Sequence, residues 1–374
     1  MKVAIVHDQL LEFGGAERVL VALKRIFPKA QVFTSAFDIN RLGNHKKVFK
    51  NWKITSSWFG KIPILKYYYS PLRFLTPLIW ESFKFDEFDL VISSTGSWMC
   101  KGIKTSNNTF HISYIHHPPR YLYYYETAVE WQKYLPVRVY GHFINHFLRQ
   151  WDFIASQRPD ILVANSEETR RRIKKFYKRD AVVIYPPVGI AKEVDFKRSL
   201  EKKQDYYITV SRLARAKHVD LLCEAAIKAG VKFKVVGTGR EEKALREKYG
   251  KKVEFLGNVD DKALQKLLSQ AKAFLFASVE EEFGIAPVEA LGWGAPVIAY
   301  ASGGVVEYVK EGKNGFLYDK LEVEALVEKI KEFEGLPAFR QKQLRLFARK
   351  TAERFSFERF RKRTNKLIVN LGNI

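Results

Sequence analysis

The strongest constraint on how this chain folds is a rhythm that occurs twice. Short apolar runs alternate with amphipathic stretches from Lys2 to Asn165, and the alternation starts again at Tyr206. Such runs read as strands of parallel sheets whose two faces are covered by helices, which makes the chain α/β. In the first repeat the strands are expected at Lys2–Asp8, Gln31–Phe37, Leu90–Ser94, His111–His116 and Ile161–Asn165. A helix is expected at Gly14–Phe27, and Ser166 reads as the N-cap of a basic helix running to about Tyr177. In the second repeat strands are expected at Tyr206–Ser211, Lys232–Val236, Val253–Leu256, Ala273–Ala277 and Pro296–Tyr300. Helical patterns at Val219–Ala229, Glu241–Tyr249, Asp260–Ala271 and Ala286–Trp293 separate them. Tyr185-Pro186-Pro187-Val188-Gly189 and the polar stretch to Gln204 interrupt the pattern and mark a hinge, and beyond Leu321 the chain reads as helical and basic.

Length agrees with this division: 374 residues suit two domains, each able to bury its own core. No uninterrupted apolar run approaches the roughly 18 residues of a membrane span. The N-terminus enters a strand pattern at once with no small-residue cleavage site, and Cys100 and Cys223 are the only cysteines, so a cytosolic protein without a disulfide framework or zinc cluster is expected.

Charge is less ordinary. Lys and Arg exceed Asp and Glu by +23, which points to an acidic partner. From Ile39 to Trp80 no Asp or Glu occurs, while Arg41, Lys46, Lys47, Lys50, Lys53, Lys61, Lys66 and Arg73 interleave with Trp52, Trp58, Phe59, Tyr67, Tyr68, Tyr69, Phe74 and Trp80. Cations mixed with large aromatics suit an anionic membrane surface, and a solvated basic face over a local core is the plain alternative. No nucleic-acid module is present, so nucleic acid is not expected as a partner.

The most informative segment is Ser278-Val279-Glu280-Glu281-Glu282-Phe283-Gly284-Ile285-Ala286-Pro287-Val288-Glu289-Ala290, which follows a strand and opens a helix. Gly284 lets a ligand approach the backbone, Pro287 suits the first helical turn, and the N–H groups there form an anion site. Carboxylates beside a phosphate site are better used on hydroxyls, which gives Glu281 and Glu289 a sugar or ribose to hold; an acidic turn that merely suits the helix dipole is the simpler reading. Arg212 and Lys217 follow the first strand of the second repeat, where they could neutralise a diphosphate. On the other repeat Gly14-Gly15 joins the first strand to the first helix, and Tyr114-Ile115-His116-His117-Pro118-Pro119-Arg120-Tyr121 ends a strand, with His116 the better placed of the two histidines. Val236-Gly237-Thr238-Gly239 starts like a dinucleotide fingerprint but lacks its third glycine, so a turn is expected. No Asp-x-Asp pair is present to hold a metal against donor phosphates.

Together Gly14-Gly15, His116-x-Pro118, Ser211-Arg212…Lys217, Glu281-x-Phe283-Gly284…Glu289-Ala290, Ser302-Gly303-Gly304…Glu307 and Asn314-Gly315 resemble the retaining GT-B glycosyltransferases of family four. The resemblance runs from Met1 to about Phe357 and is nearest to the bacterial and archaeal mannosyltransferase branch. It implies two Rossmann-like domains with parallel sheets facing across a cleft, residues 1–187 on the acceptor side and 188–356 on the nucleotide-sugar side, with a final helix (357–374) crossing back to the first. It assigns Arg212 and Lys217 to the donor diphosphate, Glu289 to the ribose and Glu281 to the transferred sugar. Phe283, Gly284 and Ile285 fall in the donor-binding motif, and Gly14 and Gly15 approach the phosphates with His116 beside the sugar. The family usually reads Glu-Gly-Phe-Gly where this chain has Glu281-Glu282-Phe283-Gly284, and His-Thr-Pro-Met-Arg-Tyr where it has His116-His117-Pro118-Pro119-Arg120-Tyr121.

The implied activity is metal-independent transfer of a hexose, mannose from GDP-mannose by that branch, to a saccharide acceptor in cell-surface polysaccharide synthesis. No cofactor is expected beyond the nucleotide-sugar co-substrate. A polyprenyl-diphosphate-linked acceptor at the inner face of the cell membrane would account for the 39–80 stretch. Two rival readings are a nucleotide-sugar 2-epimerase on the same fold, and a catalytically silent basic protein that binds membrane or nucleic acid.

Overall fold

The computed structural model describes residues 1–63, 71–127, 133–201 and 205–371. It divides into two compact units, residues 1–186 with the chain from Arg363 onward, and Pro187–Lys362. The boundary therefore falls one residue before the expected one, and residues 357–362 of the last helix group with the second unit.

Unit 1 is built on a seven-stranded parallel sheet in the order β3-β2-β1-β4-β5-β6-β7. Its strands are β1 (Val3–His7), β2 (Gln31–Thr34), β3 (Ile54–Ser56), β4 (Leu90–Thr95), β5 (Phe110–Ile115), β6 (Ile161–Ala164) and β7 (Val182–Val183). Residues of β4 are buried without exception, as a strand covered on both faces requires. Helix α1 (Gly15–Ile26) turns Val19, Leu20 and Leu23 inward, the spacing of a single apolar face. Helix α2 spans Leu135–Ser156, and helix α3 spans Glu167–Tyr177, where the Ser166 hydroxyl accepts from Thr169 N–H as an N-cap.

No element is expected from sequence between His116 and Ile161, so α2 is a finding of the structure. Its apolar residues spread over more than half of its circumference, and its N-cap, Tyr134, makes no side-chain cap bond. The period signal is thereby blurred, and Pro136 in the first turn is left to mark the start.

Unit 2 carries a six-stranded parallel sheet in the order β10-β9-β8-β11-β12-β13. Its strands are β8 (Tyr207–Val210), β9 (Phe233–Val236), β10 (Glu254–Gly257), β11 (Ala273–Phe276), β12 (Val297–Tyr300) and β13 (Gly315–Tyr318). Helices α4 (Val219–Ala229), α5 (Glu242–Tyr249), α6 (Asp261–Gln270), α7 (Ile285–Gly292), α8 (Val323–Glu334), α9 (Ala338–Ala352) and α10 (Phe357–Leu371) follow in chain order. The Val236–Gly239 segment is a turn after β9, as expected. A Cβ on Gly237 would overlap the carbonyl oxygen of Ser211, and one on Gly239 that of Leu213, so these glycines let two backbones pass closely.

Each sheet has one place where strand order reverses direction, between β1 and β4 in unit 1 and between β8 and β11 in unit 2. In open α/β sheets ligands bind beyond the carboxyl ends of the strands at such a point.

The 39–80 stretch is more structural than its composition suggests. Phe49, Phe59, Ile79 and Trp80 are fully buried, Phe59 and Trp80 in the cluster with Phe33, Phe85, Trp98 and Cys100. Trp58, Ile62, Phe74 and Leu78 are exposed, and Lys66, Tyr67, Tyr68 and Tyr69 lie outside the described residues.

Candidate active site

At the switch point of unit 2 the loop after β8 meets the loop after β11. The two strands are hydrogen-bonded neighbours, so Arg212 and Lys217 leave the sheet beside the segment Ala277–Gly284. Lys217 Nζ forms an ion pair with Glu281 Oε2, both side chains remaining partly open to solvent. Cation and carboxylate 64 residues apart thus share one spot, within reach of a single ligand. Arg212 is exposed on the same loop.

The backbone around Glu281 is held by close packing. Gly284 adopts φ +81°, and a Cβ there would come within 2.8 Å of Tyr308 Oη. Glycine is therefore required at that position for its own conformation. The Tyr308 hydroxyl lies within hydrogen-bond distance of the carbonyl oxygens of Phe283 (2.9 Å) and Gly284 (3.1 Å). Gly304 N–H donates to Glu281 O at 2.7 Å, and Ser302 Oγ accepts from Glu280 N–H at 2.9 Å. Any Cβ on Gly303 or Gly304 would overlap the carbonyl oxygens of Glu281 or Glu282. The Ser302-Gly303-Gly304 motif is thus a clamp on the Glu281 loop. Glu280, a non-glycine residue at φ +52°, marks strain at the same place. Asn314-Gly315 is structural too: Asn314 Nδ2 donates to Tyr308 O at 2.8 Å, and Gly315 packs on Val297 at the start of β13.

Helix α7 begins at Ile285, with Gly284 as an N-cap that offers no side chain and Pro287 in the first turn. Its leading N–H groups have no partner within the helix and carry the positive end of the dipole. Glu289 sits one turn further along and is nearly buried. Phe283, expected in the donor-binding motif, packs inward. Its ring is 3% exposed, edge-on to Tyr308 and Phe355 at 5.5 and 5.2 Å, so only its backbone remains for a donor.

At the switch point of unit 1, β1 and β4 run in register with His7 opposite Ser94, and β5 ends beside them with His116 N–H donating to Thr95 O at 2.8 Å. A buried chain of hydrogen bonds joins these strand ends to the Gly14-Gly15 turn. Glu17 Oε2 accepts from Gly14 N–H at 2.7 Å, and Glu17 Oε1 lies 3.2 Å from His7 Nε2. His7 Nδ1 is 3.1 Å from Ser94 Oγ, which is 2.8 Å from His116 Nε2. A serine hydroxyl can donate one hydrogen bond and accept others, so Ser94 bridges the His7 and His116 rings. Sequence reading singled out His116 but not His7, Glu17 or Ser94, whose signal is only their register on adjacent strands.

Gly14 has φ −144°, and a Cβ there would meet only Glu17 Oε2 at 3.4 Å. Neither its conformation nor its neighbours demand glycine, unlike Gly284. The small side leaves open space before the N-terminus of α1, whose first residue, Gly15, is exposed. Asp8 is the buried anchor of this edge: it accepts from the backbone N–H groups of Gly96 and Trp98 at 2.8 Å and Cys100 at 2.9 Å. Among the described residues no group of three or more His, Cys, Asp or Glu is placed to hold a metal ion.

Comparison with known proteins places this geometry. The family described as glycosyl transferases group 1 matches residues 191–351. The chain is 27% identical over 381 residues to alpha-1,3/1,6-mannosyltransferase alg2 of Schizosaccharomyces pombe, covering 85% of this chain and 70% of that protein. Against ALG2 of Rhizomucor pusillus it is 24% identical, covering 99% and 92%. A shorter match, 28% over 182 residues, is to the UDP-N-acetylglucosamine–peptide N-acetylglucosaminyltransferase GtfA subunit of Streptococcus pneumoniae, where it covers 45% of this chain and 35% of that protein. Here the matched region spans about a third of the relative's length. Among solved structures, Anabaena Alr3699/HepE in complex with UDP superposes with TM-score 0.71 at 18% identity, over 99% of this chain and 100% of that one. Sucrose-phosphate synthase from Thermosynechococcus elongatus gives 0.74 at 17% identity, over 100% of each. The fold is GT-B.

Proposed function

Residues 191–351 of this chain are a glycosyl transferases group 1 domain, and from that premise we propose that the protein transfers a hexose from a nucleotide sugar to a saccharide acceptor with retention at the anomeric carbon. The observation that carries this reading is the Lys217–Glu281 pair beside the N-terminus of α7, at the switch point of unit 2. Cation, carboxylate and helix N–H donors converge where a sugar diphosphate needs all three.

In the proposed reaction the bond between the anomeric carbon and the β-phosphate oxygen breaks, and the acceptor oxygen bonds to the same face. The acceptor hydroxyl proton passes to the departing phosphate. Arg212, Lys217 and the leading N–H groups of α7 take up the charge that develops on that phosphate. Glu281 accepts from hydroxyls of the transferred sugar, and Glu289 from the ribose. In unit 1 the start of α1 offers N–H donors for an anionic group, and His116 is proposed to stand beside a sugar hydroxyl. With Arg212 and Lys217 as the cations, the reaction is proposed to need no metal, and a chelator should leave turnover unchanged.

The ALG2 relatives favour mannose, and GDP-mannose is the proposed donor. A polyprenyl-diphosphate-linked saccharide is the proposed acceptor, supported by the chain's excess of positive charge. A thermal-shift screen of GDP-mannose, UDP-glucose and UDP-N-acetylglucosamine tests the donor. The largest stabilisation is expected with GDP-mannose; a larger shift with a UDP sugar reassigns the donor, and no shift with any of the three refutes the reading. Glu281→Ala or Lys217→Ala should lower kcat by about a hundredfold or more with little change in melting temperature. Near-normal turnover in either variant would remove these residues from the mechanism.

A further inference from the structure

Unit 1 carries an apolar face that none of the residues assigned so far uses. Helix α2 has two unlike sides. Inward, Leu148, Asp152 and Ala155 are buried, and Asp152 pairs with Lys101 and accepts from Tyr123 Oη at 2.8 Å. Outward, Val139, Phe143, Phe147 and Ile154 are 48%, 62%, 64% and 56% exposed. Steps of four, four and seven residues put these four side chains in one stripe.

The stripe continues onto a neighbouring segment. The Tyr140 hydroxyl donates to Pro71 O, and Trp151 Nε1 donates to Glu81 Oε1 at 3.3 Å, so residues 71–81 run alongside α2. On that segment Phe74 and Leu78 are also exposed. Large apolar side chains held outward in a continuous row mark a contact surface and not an ordinary wet face.

Charge indicates what covers it. Between Lys133 and Gln157 the only acid is Asp152, which is fully buried. Lys133 and Arg138 are exposed at the start of the helix, and His142 and His146 flank the stripe. An apolar stripe edged by cations, with no exposed anion on its own helix, complements an anionic lipid surface. No helix among the described residues is long and apolar enough to cross a membrane. A helix of this kind lies in the interface instead.

We propose that α2 is a membrane-docking helix lying in the plane of an anionic bilayer, with Phe143 and Phe147 at the acyl boundary and Lys133 and Arg138 at headgroup depth. This moves the expected membrane contact from the 39–80 stretch, much of whose aromatic content is core, to α2 and the exposed end of that stretch at Phe74 and Leu78. The proposal stands whichever donor unit 2 takes.

The test is flotation of the full chain with vesicles of phosphatidylcholine alone, or containing about one-third phosphatidylglycerol. Flotation is expected only with the anionic vesicles, and it should weaken as salt rises. The double variant Phe143→Ser/Phe147→Ser should lose about tenfold or more in vesicle partitioning. Because both rings are exposed, its melting temperature should stay near that of the unaltered chain. A charge variant, Lys133→Gln/Arg138→Gln, should weaken binding to the anionic vesicles as an independent readout. Failure of the unaltered chain to float overturns the proposal, as does equal flotation of the double variant. A dimer that the double variant abolishes, without vesicle binding, assigns the face to a second copy and overturns it too.

Discussion

At the scale of single residues, a buried chain of hydrogen bonds from Glu17 through His7 and Ser94 holds the His116 ring in place. Ser94 is a positioning residue in this arrangement. Ser94→Ala leaves two buried ring nitrogens without a partner and should cost about 1–3 kcal/mol of stability. With His116 in the proposed role, it should also lower kcat about tenfold with KM nearly unchanged, because the His116 ring loses the hydrogen bond that orients it. Steady-state kinetics well below the melting temperature check this; a changed KM at constant kcat would reduce Ser94 to a packing role. The glycines divide at the same scale. Gly284 is needed for its own backbone, Gly303 and Gly304 for the backbone they touch, and Gly14 for neither.

At the scale of elements, α2 is held to unit 1 by its inward polar groups as much as by its apolar ones. Lys101 and Asp152 are buried together, with Tyr123 completing the carboxylate. Asp152→Asn keeps the shape but leaves the Lys101 ammonium buried without its counter-charge, and breaking such a pair costs about 3–5 kcal/mol. Urea unfolding should show that loss, and hydrogen exchange should show it concentrated in α2 and in the loop after β4. A loss below about 1 kcal/mol would mean that Lys101 finds water or another partner. The pair explains why so apolar a helix keeps one orientation: its charge can be satisfied only inward, so Phe143 and Phe147 face out.

At the scale of the whole molecule, acid is the predicted weakness. Burial, with Arg179 and Arg158 nearby, pushes the His111 imidazole on β5 down to about 3 from its ordinary value of 6.5. The unfolded chain protonates this ring as pH falls through its ordinary value, whereas the folded chain does so only near 3, so stability declines across that window. By pH 4 this one group should cost unit 1 about 3 kcal/mol relative to pH 7. His111→Gln, which stays neutral, should flatten the decline; an equally steep fall in melting temperature between pH 7 and 4 would show that other groups dominate. On this scale the sequence was legible where the physics is local. Alternating apolar runs gave both sheets, the Ser166 cap gave the start of α3, and the spacing from Glu281 to Glu289 placed both carboxylates around the first turns of α7. Helix α2 escaped because apolar residues over more than half of its circumference blur the period that identifies a helix. In the aromatic 39–80 stretch composition does not distinguish a ring in the core, such as Trp80, from one in water, such as Trp58. Sequence alone determined the fold class and the strand-to-helix segment around Glu281, and it placed the division between the units within a residue, since each follows from residues near one another along the chain. Only tertiary structure decided that Phe283 packs against Tyr308 and Phe355, that Glu17 reaches His116 through His7 and Ser94, and that α2 turns its phenylalanines outward. Those outcomes depend on register between strands and on which charges find partners across the fold, and neither is written in local order.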